Sequence, residues 1–150
     1  MKFNDLVSIS GLSGLYQLVG SKADGAIVKN FDDDKTIFIS ARKHEVTPLK
    51  SIEVYTETDN VSLAEVFLSF RKNEGLVETT EVQKASNDVI KKTFASLFPE
   101  HDASRVYTSD MKKMLKWYGI IKKLNLLDSL EQEQAVIEDE AEDASASLSM

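Results

Sequence analysis

Hydrophobic and polar positions change their spacing once along the chain, and that change divides it. From Leu6 to Thr56, β-branched and aromatic residues come in short runs: Leu6 to Ser10, Leu15 to Val19, Ala26 to Phe31, Thr36 to Ala41 and Ser51 to Thr56. Between them lie Gly11 to Gly14, Gly20 to Gly25 and the acidic stretch Asp32 to Lys35, rich in residues that tolerate tight turns or positive φ. Alternation sets Ile37 and Ile39 against Thr36, Phe38 and Ser40, and Ile52 and Val54 against Ser51, Glu53 and Tyr55. The pattern predicts a five-stranded antiparallel meander with one face turned to a core.

At Ser62 the period becomes 3.6. Ser62 and Glu65 form a capping box, Val61 and Val66 are placed as a hydrophobic staple, and Leu63, Val66, Phe67 and Phe70 share one helix face. This helix is expected to run to about Lys72 and to end before Gly75. A second is expected from near Gln83 or after Ser86, with Val89, Ile90, Phe94, Leu97 and Phe98 on one side, stopping at Pro99. A third, capped by Thr108 or Ser109, carries Met111, Met114, Leu115, Trp117, Tyr118, Ile121 and Leu124 on a wide apolar arc.

Charge adds a third region. The net charge of −7 is concentrated at the end of the chain, where residues 131–150 hold seven acidic and no basic side chains and no aromatic residue. Such a stretch buries too little to offset the entropy of ordering, so an acidic mobile tail is expected, either disordered or helical in its Glu/Ala part, serving as a solubilising appendage or as an electrostatic arm over a basic surface. The expected fold class is therefore α+β: a small antiparallel barrel over residues 1–60, a three-helix part over 61–130 and the tail over 131–150. Pro48 cannot donate to a ladder, and a helical turn is expected there before the last strand. That turn, and the spacing of the strands, resemble SH3-like barrels.

Two sets of side chains are candidates for binding. Tyr16, Phe31, Phe38 and Tyr55 stand opposite the aliphatic faces of their strands, as a ligand face for stacking or as packing for the helices that follow. On the third helix Lys112, Lys116 and Lys123 fall within about 40° of one another, with Lys113 beside them. They form either a solvated face suited to the helix dipole or a contact surface for phosphate or an acidic partner. No arginine joins the stripe, so nucleic-acid binding there would be non-specific.

Catalytic constellations are not found. With no cysteine, the chain has no thiol nucleophile, disulfide or thiolate metal site. His44 and His101 lack metal-type partners and are expected at the surface. Gly11 to Gly14 has neither the order of a nucleophile elbow nor the following helix of a phosphate loop. The acidic turn at Asp32 lacks calcium-loop spacing. No enzyme activity, metal or cofactor is expected. No apolar run is long enough to span a membrane, and Asp5 interrupts the place of a signal-peptide core, so a cytoplasmic protein is expected.

Ser8 to Tyr16, Gly25 to Val28, Pro48 to Thr56 and Arg105 to Lys113 with Trp117 and Tyr118 together resemble a family of uncharacterised bacterial proteins. The resemblance covers roughly residues 3–130. It implies a domain of unknown function with an SH3-like or Tudor-like N-terminal part, a helical C-terminal part and an acidic tail, and it brings no activity. The leading expectation is a non-catalytic binding or adaptor protein with a protein partner. The alternative is a nucleic-acid-associated protein using the lysine stripe, modulated by the tail. A third reading is a homo-oligomer joined through Trp117, Tyr118 or exposed barrel aromatics.

Overall fold

The computed structural model describes residues 2–79, 81, 82 and 84–136. Seven strands are present: β1 (Leu6–Ile9), β2 (Tyr16–Lys22), β3 (Gly25–Asn30), β4 (Thr36–Ser40), β5 (Val46–Pro48), β6 (Glu53–Tyr55) and β7 (Asn60–Ser62). The first five make one antiparallel sheet in the order β4-β3-β2-β1-β5, and β6 and β7 pair with each other. The mixed α and β architecture is as expected, but the barrel is not closed. Among the described residues β4 pairs only with β3, and β5 only with β1, so the sheet is open and has two edges.

The expected fifth strand, Ser51 to Thr56, is also placed differently. The last position in the sheet goes to β5, which is only three residues long; a single 3-10 turn, Leu49–Ser51, then turns the chain out of the sheet. That turn stands where the Pro48 signal puts it. β6 pairs with β7 instead, which leads into the first helix.

Pro48 blunts one edge of the sheet. Ser10 N–H donates to the Glu45 carbonyl at 2.9 Å, and the β1–β5 register sets Ser8 opposite Thr47. In an antiparallel ladder bonded and non-bonded pairs alternate, so Val46 and Pro48 direct their backbone outward, and Pro48 has no N–H to offer.

Among the described residues five helical segments follow, two more than expected: α1 (Leu63–Arg71), α2 (Glu74–Thr79), α3 (Asn87–Leu97), α4 (Thr108–Lys123) and α5 (residues 127–136). Ser62 caps α1 by accepting from Glu65 N–H at 3.3 Å, and Ser86 caps α3 by accepting from Val89 N–H. α4 starts at Thr108, so its N-cap is Tyr107 rather than Thr108 or Ser109, and the Tyr107 N–H donates to the Asp110 carboxylate at 3.3 Å. Its far end is a Schellman turn. Asn125 sits at φ 60°, its N–H donates to Lys122 O, and Leu126 N–H donates to Ile121 O. The turn sends the chain into α5. Residues 131–136, assigned to the tail by their composition, are helical, with Gln134 buried. Residues 137–150 of that expected tail lie outside the described residues.

Two hydrophobic clusters hold the fold. The larger joins Phe67, Phe70, Phe94 and Tyr118 of the helices to Leu6, Leu15, Leu49 and Val54 of the strand region, so helices and sheet share a core. The smaller lies on one face of the sheet and contains Val7, Ile9, Ala26, Val28 and Ile39. Val89, expected on the apolar side of α3, is exposed, while Ile90, Phe94 and Leu97 are buried. His101, expected at the surface, is buried at 8% exposure. Its Nδ1–H donates to Phe98 O at 2.8 Å and its ring lies edge-on to Phe94 at 4.9 Å, so packing and one backbone bond account for it.

Candidate functional site

The chain end of β1 and the middle of α4 face each other across a groove. Its near wall is Ser8 and the loop 10–14, together with Glu45 and Thr47; its far wall is Lys113, Lys116, Trp117 and Ile120. Positions 113, 116, 117 and 120 share one side of a helix because they are spaced by three and four. This part of the groove encloses about 830 Å³.

The loop is shaped by two glycines and tied down at its base. Gly11 and Gly14 have φ of 81° and 82°, a region that side chains with a Cβ rarely occupy. Ser10 is clamped from three directions: its N–H donates to Glu45 O, its hydroxyl accepts from Glu45 N–H at 2.7 Å, and its carbonyl accepts from His44 Nδ1–H at 2.7 Å. His44 therefore holds the loop against the sheet. It is half-buried rather than a free surface imidazole.

Past Lys113 and Trp117 the groove continues into a smaller bay of about 320 Å³, bounded by Tyr55, Arg105 and Met114. The Arg105 guanidinium lies 4.7 Å over the Tyr55 ring while its Nε donates to Asp102 at 2.8 Å. Asp102 accepts a second set of bonds, from the Ser104 hydroxyl at 2.6 Å and the Ser104 N–H at 3.0 Å. The Ser104 hydroxyl, then Arg105, then the Ser104 N–H hold the Asp102 carboxyl down at about 2. The charge of Arg105 is thus already matched, and Lys113 and Lys116 are the cations left for a ligand. No carboxylate pairs with either among the described residues.

The groove joins only some of the residues that the sequence singles out. Lys113, Lys116 and Tyr55 line it. Lys112 and Lys123 belong to α4 but not to its groove wall. Lys122, the neighbour of the stripe, is engaged with Glu74 at 2.9 Å. That bond, with the Tyr118 hydroxyl adding a second, holds the Glu74 carboxyl below its ordinary value. The four aromatics do not form one cluster. Phe31 packs on the helical core, Tyr16 on the sheet cluster, and Phe38 stands exposed near the opposite edge of the sheet. Of the other groove residues, Trp117 was marked in the sequence only as an oligomer contact and Arg105 carried no site signal, although the glycine pair of the loop did mark a special backbone.

A cleft beneath α1 and α5 is of similar size, about 870 Å³. Several of its polar groups bond to one another or to neighbours: Arg71 donates to Asp128 at 2.5 Å and to Glu131 at 3.0 Å, and Gln134 donates to Glu65 at 3.1 Å. The bond to Asp128 is the main cause that raises the Arg71 pKa. Among the described residues, no three His, Asp or Glu side chains gather as metal ligands. No helix among them is long and apolar enough to cross a membrane.

Two family profiles match the chain. Residues 3–49 match a domain of unknown function, DUF5606, and residues 52–121 match another domain of unknown function, DUF6852. No curated protein matches. A solution NMR structure from Bacteroides vulgatus, solved as a structural genomics target, is similar at 33% identity and a TM-score of 0.66. The similarity covers 79% of this chain and 84% of that one.

Proposed function

Because the chain belongs to the family of uncharacterised proteins marked by DUF5606 and DUF6852, we propose its function from the groove itself: a non-catalytic binding protein that holds an extended, acidic segment of a partner protein. One observation carries this reading, the continuity of the groove from the glycine loop past Lys113 and Trp117 to Tyr55. A partner's carboxylates would meet Lys113 and Lys116, and an apolar side chain would lie on Trp117, a division between charged rim and aromatic anchor common to peptide grooves. The walls come from a clamped loop and a long packed helix, so little ordering would be needed on binding. The strand order, with β1 between β2 and β5, supports an SH3-like or Tudor-like affinity as part of the same reading.

The test places a photo-crosslinking residue at position 116, mixes the protein with native lysate and identifies what is joined to it, with and without nuclease. The expected result is a protein adduct that survives nuclease and is lost with Lys113→Glu or Trp117→Ala. Adducts unchanged by both substitutions would refute the groove.

A second reading, nucleic-acid association through Lys112, Lys113, Lys116 and Lys123, is favoured by the absence of ion pairs at these four among the described residues. Nuclease-sensitive capture that weakens steeply with salt would select it.

A further inference from the structure

The far edge of the sheet differs from the edge that Pro48 blunts. At the two ends of β4, Ala41 N–H donates to Asp24 O and Asn30 N–H donates to Lys35 O, each at 2.9 Å, and the register between sets Ala26 opposite Ile39 and Val28 opposite Ile37. Alternation of the ladder therefore turns the backbone of Ile37 and Ile39 toward β3 and that of Thr36, Phe38 and Ser40 outward. The Ser40 carbonyl is occupied by Lys43 and His44 N–H groups; the outward groups of Thr36 and Phe38 and the Ser40 N–H have no partner among the described residues. The strand contains no charge and no proline, and its Ile37 and Phe38 are 40% and 48% exposed. Natural sheets rarely leave such an edge bare.

The residues on either side of β4 indicate what covers it. Asp32, Asp33 and Asp34 precede the strand; Arg42 and Lys43 follow it. We propose that β4 pairs antiparallel with β4 of a second copy about a two-fold axis at Phe38, giving a symmetric dimer with one continuous sheet. Only outward-facing residues can bond across such an axis, and the register with Phe38 opposite its own mate is the one that overlaps the whole strand. Phe38 then exchanges both backbone bonds with Phe38 of the second copy, and each Ser40 N–H reaches the other Thr36 carbonyl.

In that register the acidic turn of one copy, Asp32 to Asp34, faces the basic turn of the other, Arg42 and Lys43, on both sides of the axis. The charge pattern favours this arrangement: parallel pairing would bring like charges together and be repelled. On one face the two Phe38 rings are neighbours; on the other Ile37 meets Ile39. Asp34 already pairs with Lys29 at 3.7 Å, but both groups are exposed enough for Arg42 to compete. A five-residue edge is a small interface, so the association is weak and depends on concentration.

The experiment is sedimentation velocity of the full chain across a concentration series reaching about 1 mM, at low and high salt, with circular dichroism confirming that each variant is folded. The expected result is a monomer–dimer equilibrium that Lys43→Glu weakens by at least about tenfold. Adding Asp33→Lys to Lys43→Glu swaps the facing pair and is expected to restore it. In the dimer the Phe38 amide is expected to gain protection from hydrogen exchange as concentration rises. A chain that stays monomeric throughout, or a dimer indifferent to the single substitution and to its compensation, overturns the proposal.

Discussion

Replacing Phe70 with alanine tests whether one aromatic cluster fixes the groove wall to the rest of the protein. Phe70 is fully buried on α1, with ring centroids 6.1 Å from Phe67, 5.7 Å from Phe94 on α3 and 5.7 Å from Tyr118 on α4. Removing the ring takes away its transfer energy and leaves a cavity that three helices cannot easily close, a loss of about 3–5 kcal/mol. For a chain of this length each kcal/mol moves the midpoint by roughly 2–4 °C, so Tm is expected to fall by roughly 6–20 °C. Phe70→Leu keeps most of the apolar volume and loses the edge-to-face contacts, which predicts a smaller loss, about 1–2 kcal/mol. The exposed Val89→Ala is the control and is expected to stay within about 0.5 kcal/mol. Trp117 is the single tryptophan, so its fluorescence follows the groove wall while circular dichroism follows the whole chain. With one shared core, both signals are expected to fall together. A loss under about 1.5 kcal/mol for Phe70→Ala, or one no larger than that of Phe70→Leu, would refute this reasoning, and so would separate transitions in the two signals.

Two further outcomes are expected. The Asp102 carboxyl, followed by carbon NMR, is expected to titrate near pH 2, and Ser104→Ala to move it up toward the ordinary 3.8. Because its pKa is lower in the folded state than in the unfolded, its contribution is fully present above the ordinary carboxyl range and drains away as pH falls through about 2. Gly25→Ala is expected to destabilise by about 1–3 kcal/mol, lowering the urea midpoint at unchanged slope. A Cβ there would meet the Ile39 carbonyl oxygen and lie 2.7 Å from Phe38 Cζ, on the strand paired with it.

Elements with local causes were legible in the chain. Ser62 and Ser86 place their helices because a hydroxyl three residues before an N–H is a local fact, and Pro99 limits α3 for the same reason. α1 stops at Arg71, before Gly75 as expected, but a further helix, α2, runs through that glycine with Val77 buried beneath it, against glycine's local preference. α5 was hidden because its main apolar anchors, Leu127 and Leu130, stand at its start and the acidic composition beyond them reads as tail. The departure of β6 from the sheet depends on whether Ser62 or a neighbouring strand pairs with Glu53, a long-range choice that no alternation encodes. The burial of His101 likewise follows from the Phe94 ring packed edge-on against it and the bond to the Phe98 carbonyl. As for the groove, its lysines were visible as a helix face. Their apposition to residues 8–14 was not, because about a hundred residues separate the two walls.

Pro48 has a consequence for solubility. A unit that could add strands at both ends of its sheet would have no reason to stop growing, and fibres are the outcome. Here one terminus of the ladder lacks a donor at the place where a newcomer would need it. Whatever extends this five-stranded sheet through its backbone does so from one side, and growth of that sheet ends there.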